Sequence, residues 1–195
     1  MALTTPTGPS NGPSLVLSEL KRFSTNTNAI IARNALALAP ATLGHPYPVY
    51  HMNAAAVAAG KGFGSPEFAG YRYIVDEGGE LSTADVRVDA NGAATRMLRR
   101  GYGEFPKAFT HGLDQIAKLP AVAAGSYEIR ILHCSEVFLV AIWLKGAAGH
   151  ADIIYPLPPV PDGVHAERAY SVDEYVGLVW ALIQKRIARP ANPIR

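Results

Sequence analysis

The sequence contains a single cysteine, Cys134, which excludes an intramolecular disulfide and any paired-cysteine metal or redox motif. It also lacks an apolar run of the roughly 18 to 20 residues that a membrane-spanning helix needs. Its N-terminus does not show the basic stretch followed by an apolar stretch of a secretory leader. We therefore expect a protein without a membrane span, located in the cytoplasm, and export by a leaderless route stays open.

Charge is scarce as well. Charged residues make up 17% of the chain, and the formal net charge of +2 is too small to indicate a polyanionic partner. We therefore do not expect nucleic acid binding. Hydrophobic residues make up 49% of the 195 residues, which is enough for a substantial core and is compatible with one large domain.

The densest apolar stretch, residues 137 to 144, predicts the central strand of a sheet. Its side chains do not alternate between apolar and polar, which is typical of a strand covered on both faces. Asn91-Gly92 predicts a hairpin turn, because both residues tolerate a positive φ. Pro156 ends the last strand because proline lacks an N–H for pairing. The other predicted strands lie at 71 to 75, 81 to 89, 93 to 98, 127 to 131 and 152 to 155.

Helices are predicted on both sides of these strands. Ser171 and Glu174 form a capping box ahead of an apolar stripe that reaches Ile187, and this predicts a C-terminal helix. A mid-chain helix is expected at 105 to 119, and Trp143 and Trp180 are expected to pack between the buried strand and the last helix. Shorter helices are predicted at 15 to 23, 28 to 38 and 53 to 59.

Separate runs of strands and helices indicate an α+β fold. We predict a mainly antiparallel sheet of about five to six strands, packed by a long C-terminal helix and a mid-chain helix, with a helical N-terminal arm. Residues 1–14 are rich in Thr, Pro, Gly and Ser and predict a flexible tail. A Gly-rich joint at 60 to 70 separates the helical arm, 15–65, from the α+β body, 66–195.

Catalytic and cofactor motifs are absent from the sequence. The Gly-rich joint lacks P-loop spacing, and the six histidines show no zinc-site pattern, so no cofactor or metal is expected. A thiol nucleophile at Cys134 would need a base in space. His133 is poorly placed because neighbours on a strand face opposite ways, which leaves His111, His150 and His165 as candidates. We prefer the interpretation of Cys134 as a small buried residue.

Two groups of residues are candidates for contacts with a partner. Arg99, Arg100 and Tyr102 belong to a short basic and aromatic stretch, which we interpret mainly as a solvated strand end. The second group is formed by Pro156, Pro158 and Pro159 in the stretch PLPPVP, which is a rigid connector or a polyproline ligand.

The leading functional hypothesis is a non-catalytic protein that acts in protein–protein interaction or assembly, through its surface and its N-terminal arm. Arms of this kind can be stabilised by association, so self-association to a homo-oligomer is expected. The alternative is a small enzyme or ligand-binding protein with a pocket between sheet and helices that uses Cys134 and a histidine. The sequence identifies no small-molecule ligand.

Overall fold

The computed structural model describes residues 2–26, 40–147 and 149–188 and places five α-helices and nine strands in them. The helices are α1 (Gly12–Asn26), α2 (Ala54–Ala58), α3 (Phe105–Ile116), α4 (Pro120–Ala123) and α5 (Val172–Ile187). The strands are β1 (Ala2–Thr4), β2 (Thr42–His51), β3 (Glu67–Glu77), β4 (Glu80–Val88), β5 (Ala94–Gly101), β6 (Ser126–Cys134), β7 (Leu139–Gly146), β8 (Ile153–Pro156) and β9 (Tyr170–Ser171). A turn of 3-10 helix, Ser135–Val137, follows β6.

The fold is α+β, with a mostly antiparallel sheet and a C-terminal helix, as predicted. The predicted count of five to six strands is wrong, because nine strands pair in the described residues. The additional strands are β1, β2 and β9. Strands β1 and β9 are too short to show a pattern, and Pro46 and Pro48 hide β2 because they lack donors for pairing. Both β1 and β2 pair in parallel with β6.

Two compact units divide the chain. The first unit comprises Met1–Thr4, Val49–Phe68 and Ala108–Arg195, and the second comprises Thr5–Pro48 and Ala69–Lys107. In the first unit the strand order is β2-β6-β7-β8-β9, with β1 also paired to β6. In the second unit the order is β5-β4-β3-β2.

Helix α5 covers one face of β7 in the first unit. Tyr175, Val179 and Ile183 belong to the same buried cluster as Ala141 and Trp143 of the strand. Burial of side chains of this size stabilises a fold by about 1.5–3 kcal/mol each. The packing of the C-terminal helix on the central strand is therefore as predicted, although Trp180 is not part of it. Trp180 lies on the outer side of α5 with 48% of its surface exposed, so the expectation that it is a core residue is wrong.

Helix α3 covers the opposite face of β7. A Cβ on Gly112 would lie 3.1 Å from Ile142 and 2.8 Å from Leu157, so the glycine allows a close approach of the helix to the sheet. Phe109 and Ile116 of the same helix are fully buried. The central strand is thus covered on both faces, but it begins at Leu139 rather than at residue 137.

Strands β3, β4 and β5 pair in the second unit and pack against α1. Val16 and Leu20 of the helix share a buried cluster with Tyr73 and Val86 of the sheet. The hairpin predicted at Asn91-Gly92 is present, but only Gly92 has a positive φ, of 79°. The Gly92 N–H donates to the Asp89 carbonyl, so Ala90 and Asn91 are the central residues of the turn. The Oδ1 atom of Asp89 accepts hydrogen bonds from two N–H groups of this turn.

The N-terminal residues differ from the predicted elements. Residues 2–4 form strand β1, and the amide group of Asn11 both donates to the Ala94 carbonyl and accepts from its N–H at 2.8 Å. These hydrogen bonds offset part of the entropy cost of ordering the N-terminal residues, whose composition predicts a flexible tail. Strand β2 lies within the residues predicted as a helical arm. The predicted helix at 28–38 lies outside the described residues, and the division into tail, arm and body stays a prediction.

Candidate functional site

A groove of about 450 Å³ lies in the first unit beside the C-terminal end of α5. We call it the Phe138 groove. Its apolar lining comes from three places in the chain: the 3-10 turn, the segment at 160–162 and the last two turns of α5. Exposed charged side chains of both signs complete the lining. The apolar lining residues are Val137, Phe138, Val160, Pro161 and Leu182, and the charged ones are Glu136, Asp162, Lys185 and Arg186.

Phe138 has an unusual backbone and an unusual exposure for its residue type. Its φ of 55° and ψ of 39° lie in the left-handed region, which costs about 1–2 kcal/mol for a residue other than glycine. Phe138 is 77% exposed to solvent. The turn that ends β6 therefore holds a large apolar side chain at the surface, at a cost in free energy. Strained residues of this kind cluster at binding sites.

Arg186 links the end of α5 to this turn. Its guanidinium group donates to the carbonyl oxygen of Glu136 and lies 5.2 Å from the centroid of the Phe138 ring. A cation over an aromatic ring at this distance is attracted to it. Lys185 and Arg186 are in the last turn of the helix, where basic side chains complement its dipole. The helix thus fixes one wall of the groove relative to Phe138.

Cys134 is buried in the core, two residues before Glu136 of the groove lining. Its thiol donates to the Glu136 carboxylate at 4.0 Å. Burial, and after it the negative charge of Glu136, raise the pKa of the Cys134 thiol to about 11. The thiol is therefore protonated at neutral pH, which makes it a weak nucleophile. Among the residues that the structure describes, the buried Tyr175 hydroxyl has no hydrogen-bond partner, and burial raises its pKa as well.

The structure does not bring Cys134 together with His111 or His150. Cys134 shares a buried cluster with α5, whereas His111 belongs to α3, on the opposite face of β7. There Nε2 of His111 lies 3.5 Å from Oε1 of Glu167. His150 lies against the ring of Tyr127, at 5.8 Å between centroids, and alternation along β6 places Tyr127 on the face opposite to Cys134. A catalytic role for the three residues stays a prediction.

The predicted contact residues fall into two places. Pro158 and Pro159 are exposed and lead into Val160 and Pro161 of the groove wall, whereas Pro156 is buried at the end of β8. The other group lies in the second unit, where the guanidinium of Arg100 stacks over Tyr102 at 4.7 Å. Arg100 forms an ion pair with Glu77, which largely neutralises its charge, whereas Arg99 shares the Asp85 carboxylate with Arg72 and is neutralised only in part.

Sequence reasoning missed Phe138, Leu182 and Arg186 as site residues. The apolar run that contains Phe138 predicts a buried strand, and Leu182 belongs to the predicted apolar stripe of α5. The polar pair Ser135 and Glu136 before this run was the only cue to a turn. It does not predict a left-handed phenylalanine.

No known protein family, curated protein or solved structure matches this chain. Within residues 2–26, 40–147 and 149–188, no group of three or more histidine, cysteine or acidic side chains is arranged to hold a metal ion. The helices of the same residues are each too short or too polar to cross a bilayer. Any function of the Phe138 groove must therefore be inferred from its lining residues.

Proposed function

We propose that the protein is a non-catalytic binding protein that takes a segment of a protein partner into the Phe138 groove. The observation that carries the proposal is Phe138 itself, which is exposed and left-handed. Exposure of the ring and the strained backbone both cost free energy in the free protein. A partner that covers the ring recovers the part of this free energy that is due to exposure. Large aromatic side chains of this kind are common energetic centres of protein interfaces.

The lining of the groove suggests the chemistry of the partner segment. An apolar side chain fits against Val137, Val160 and Leu182 beside the Phe138 ring. Lys185 has no ion-pair partner in the described part of the chain and is available to an acidic group, and Asp162 is available to a basic one. The expected partner segment therefore carries an apolar residue between charges of both signs.

The proline-rich segment supports the groove from one side. Pro158 and Pro159 restrict the backbone that leads to Val160, which lowers the entropy cost of ordering this wall on binding. Pro156 is buried at the end of β8 and is therefore not available for direct contact with a partner. Contact through residues 15–65, self-association, and a cytoplasmic location stay predictions from the sequence.

Selection from a display library of random peptides tests the proposal. The full chain is the bait, and each recovered peptide is then measured on the Leu182→Glu variant, which places a charge in the groove. We expect recovered peptides to share an apolar residue flanked by charges and to lose about tenfold or more in affinity on the variant, because a buried unpaired charge opposes binding. Tyr102→Ala, which alters an exposed aromatic residue of the second unit, is the matched control. Peptides that bind the Leu182→Glu variant with the same affinity as the native protein would refute binding in the Phe138 groove.

A further inference from the structure

Two arginines face each other across strands β4 and β5 in the second unit. Arg87 and Arg96 are direct partners in the antiparallel register, so their side chains extend from the same face of the sheet. Both are exposed to solvent, and β5 is the edge strand. Like charges directly opposite each other destabilise a sheet. The pair therefore costs free energy in the free protein and gains most from a bound anion.

The other arginines of these strands differ from this pair because each has an acidic partner. Arg72 and Arg99 share the carboxylate of Asp85, and Arg100 pairs with Glu77. Arg87 and Arg96 have no acidic partner among the residues that the structure describes. The nearest acidic residue after Arg87 is Asp89, just past the end of β4, whose Oδ1 atom accepts from two N–H groups of the hairpin turn.

A third guanidinium continues the row along the sheet. Arg99 lies opposite Asp85 of β4. Asp85 comes two residues before Arg87, so the two positions are about 7 Å apart along the strand. The side chain of Arg99 is 62% exposed even though it shares Asp85 with Arg72. The guanidinium fork matches two phosphate oxygens, and it keeps its charge at any physiological pH. A row of guanidinium groups can bind a polyanion whose negative charges are spaced along a chain.

The net charge of the whole chain does not indicate a polyanionic partner, but the local row of arginines does. We propose that Arg87 and Arg96, with Arg99 beside them, bind successive phosphates of a single-stranded nucleic acid. A flexible strand can adjust the spacing of its phosphates to the row, whereas a rigid duplex cannot. The contacts are to the backbone, so no preference among base sequences is expected. With about two to three phosphates engaged, affinity is in the range of non-specific binding, with a Kd of about 10⁻⁴–10⁻⁶ M, and falls steeply with salt.

Fluorescence anisotropy of a labelled oligothymidylate, titrated with the full chain over a series of salt concentrations, tests this site. The Arg87→Gln/Arg96→Gln variant removes two contacts, so we expect weaker binding and a plot of log K against log salt that is shallower by about 1.4. Lys61→Gln/Lys118→Gln is the matched control, since it removes two exposed positive charges from the first unit. It should leave the slope within error of the native value.

Three kinds of result would overturn the proposal. The first is an equal loss of slope in the lysine control, which would indicate general electrostatic attraction. The second is an arginine variant that binds as the native protein does, or a native protein that does not bind at low salt. The third is a preference for duplex or for polyglutamate over the single strand, which would point to a different partner. Circular dichroism of both variants verifies the fold, and the arginine variant should keep it because a repulsion has been removed.

Discussion

Cys134 is the only thiol of the chain, and its surroundings determine its reactivity. It is buried on the face of the sheet covered by α5, and the nearest charge is the Glu136 carboxylate, which opposes ionisation. Both influences favour the neutral thiol. The sequence could predict that Cys134 is apolar in behaviour, because free cysteine is commonly buried. It could not predict the contact with Glu136, which depends on the 3-10 turn that folds back after β6.

Thiol labelling tests this account of Cys134. A pKa of about 11 leaves roughly a hundredfold less thiolate at neutral pH than an unperturbed cysteine has, and burial slows access further. We therefore expect labelling of the native protein to be at least about a hundredfold slower than in urea. The control is the Cys134→Ala/Ser135→Cys variant, which moves the thiol to the exposed neighbour. Labelling of Cys134 as fast as this control would favour the enzyme interpretation instead.

Stability against pH provides a second readout of the same thiol. The pKa in the folded protein lies above the ordinary value of 9.0, so the unfolded chain loses the proton first. The contribution of Cys134 to the free energy of unfolding is therefore complete below pH 9 and is lost as the pH rises to about 11. Cys134→Ala should flatten this part of the curve, measured by urea unfolding. An unchanged curve would contradict the assignment.

At the scale of elements, the strands and helices that are marked by a capping residue, a turn motif or a regular apolar pattern were predictable. The capping box of α5 is present, with the Ser171 hydroxyl accepting from the Glu174 N–H, and the Asn91-Gly92 turn joins β4 and β5. The register bulges of β5 and the short strands β1 and β9 were not predictable, because pairing across the sheet determines them. Ion pairs between strands also follow from register alone.

Asp85 links three strands of the second unit by such ion pairs. Its carboxylate accepts from Arg72 at 2.5 and 2.8 Å and from Arg99 at 2.7 Å. Burial raises the pKa of Asp85, but the hydrogen bonds and charges of the two arginines outweigh it, so the pKa lies below its usual range. The arginine side chain that matters most is that of Arg72, which is 4% exposed and stacks on Phe105.

Asp85→Asn should therefore destabilise β3, β4 and β5 strongly. The variant leaves the charge of Arg72 buried without a carboxylate, which costs about 3–5 kcal/mol. Hydrogen exchange of the amides in these three strands measures the loss. Glu19→Gln, which breaks the exposed Arg22 ion pair on α1, is the control and should cost about 0.5 kcal/mol or less. Protection factors that change equally in both variants would contradict the role assigned to Asp85.

For the whole molecule, fold class was predictable because it depends on the order of strands and helices and on one continuous apolar strand. The candidate site was not, because the Phe138 groove is assembled from a turn, a proline-rich segment and a helix end that are distant in sequence. Its central residue also contradicts its own pattern, since Phe138 extends an apolar run and yet is exposed. The arginine pair was likewise hidden, because the register and not the spacing places Arg87 opposite Arg96.

The most direct measurement of the central claim is the affinity of a groove-selected peptide for the Phe138→Ala variant of the full chain. We expect a loss of about tenfold or more, because an exposed aromatic anchor is removed. The free energy of unfolding should fall by no more than about 1 kcal/mol, because the ring has few contacts in the folded protein. Tyr102→Ala should change neither quantity. An affinity for Phe138→Ala equal to that of the native protein would contradict the claim that Phe138 is exposed in order to bind a partner.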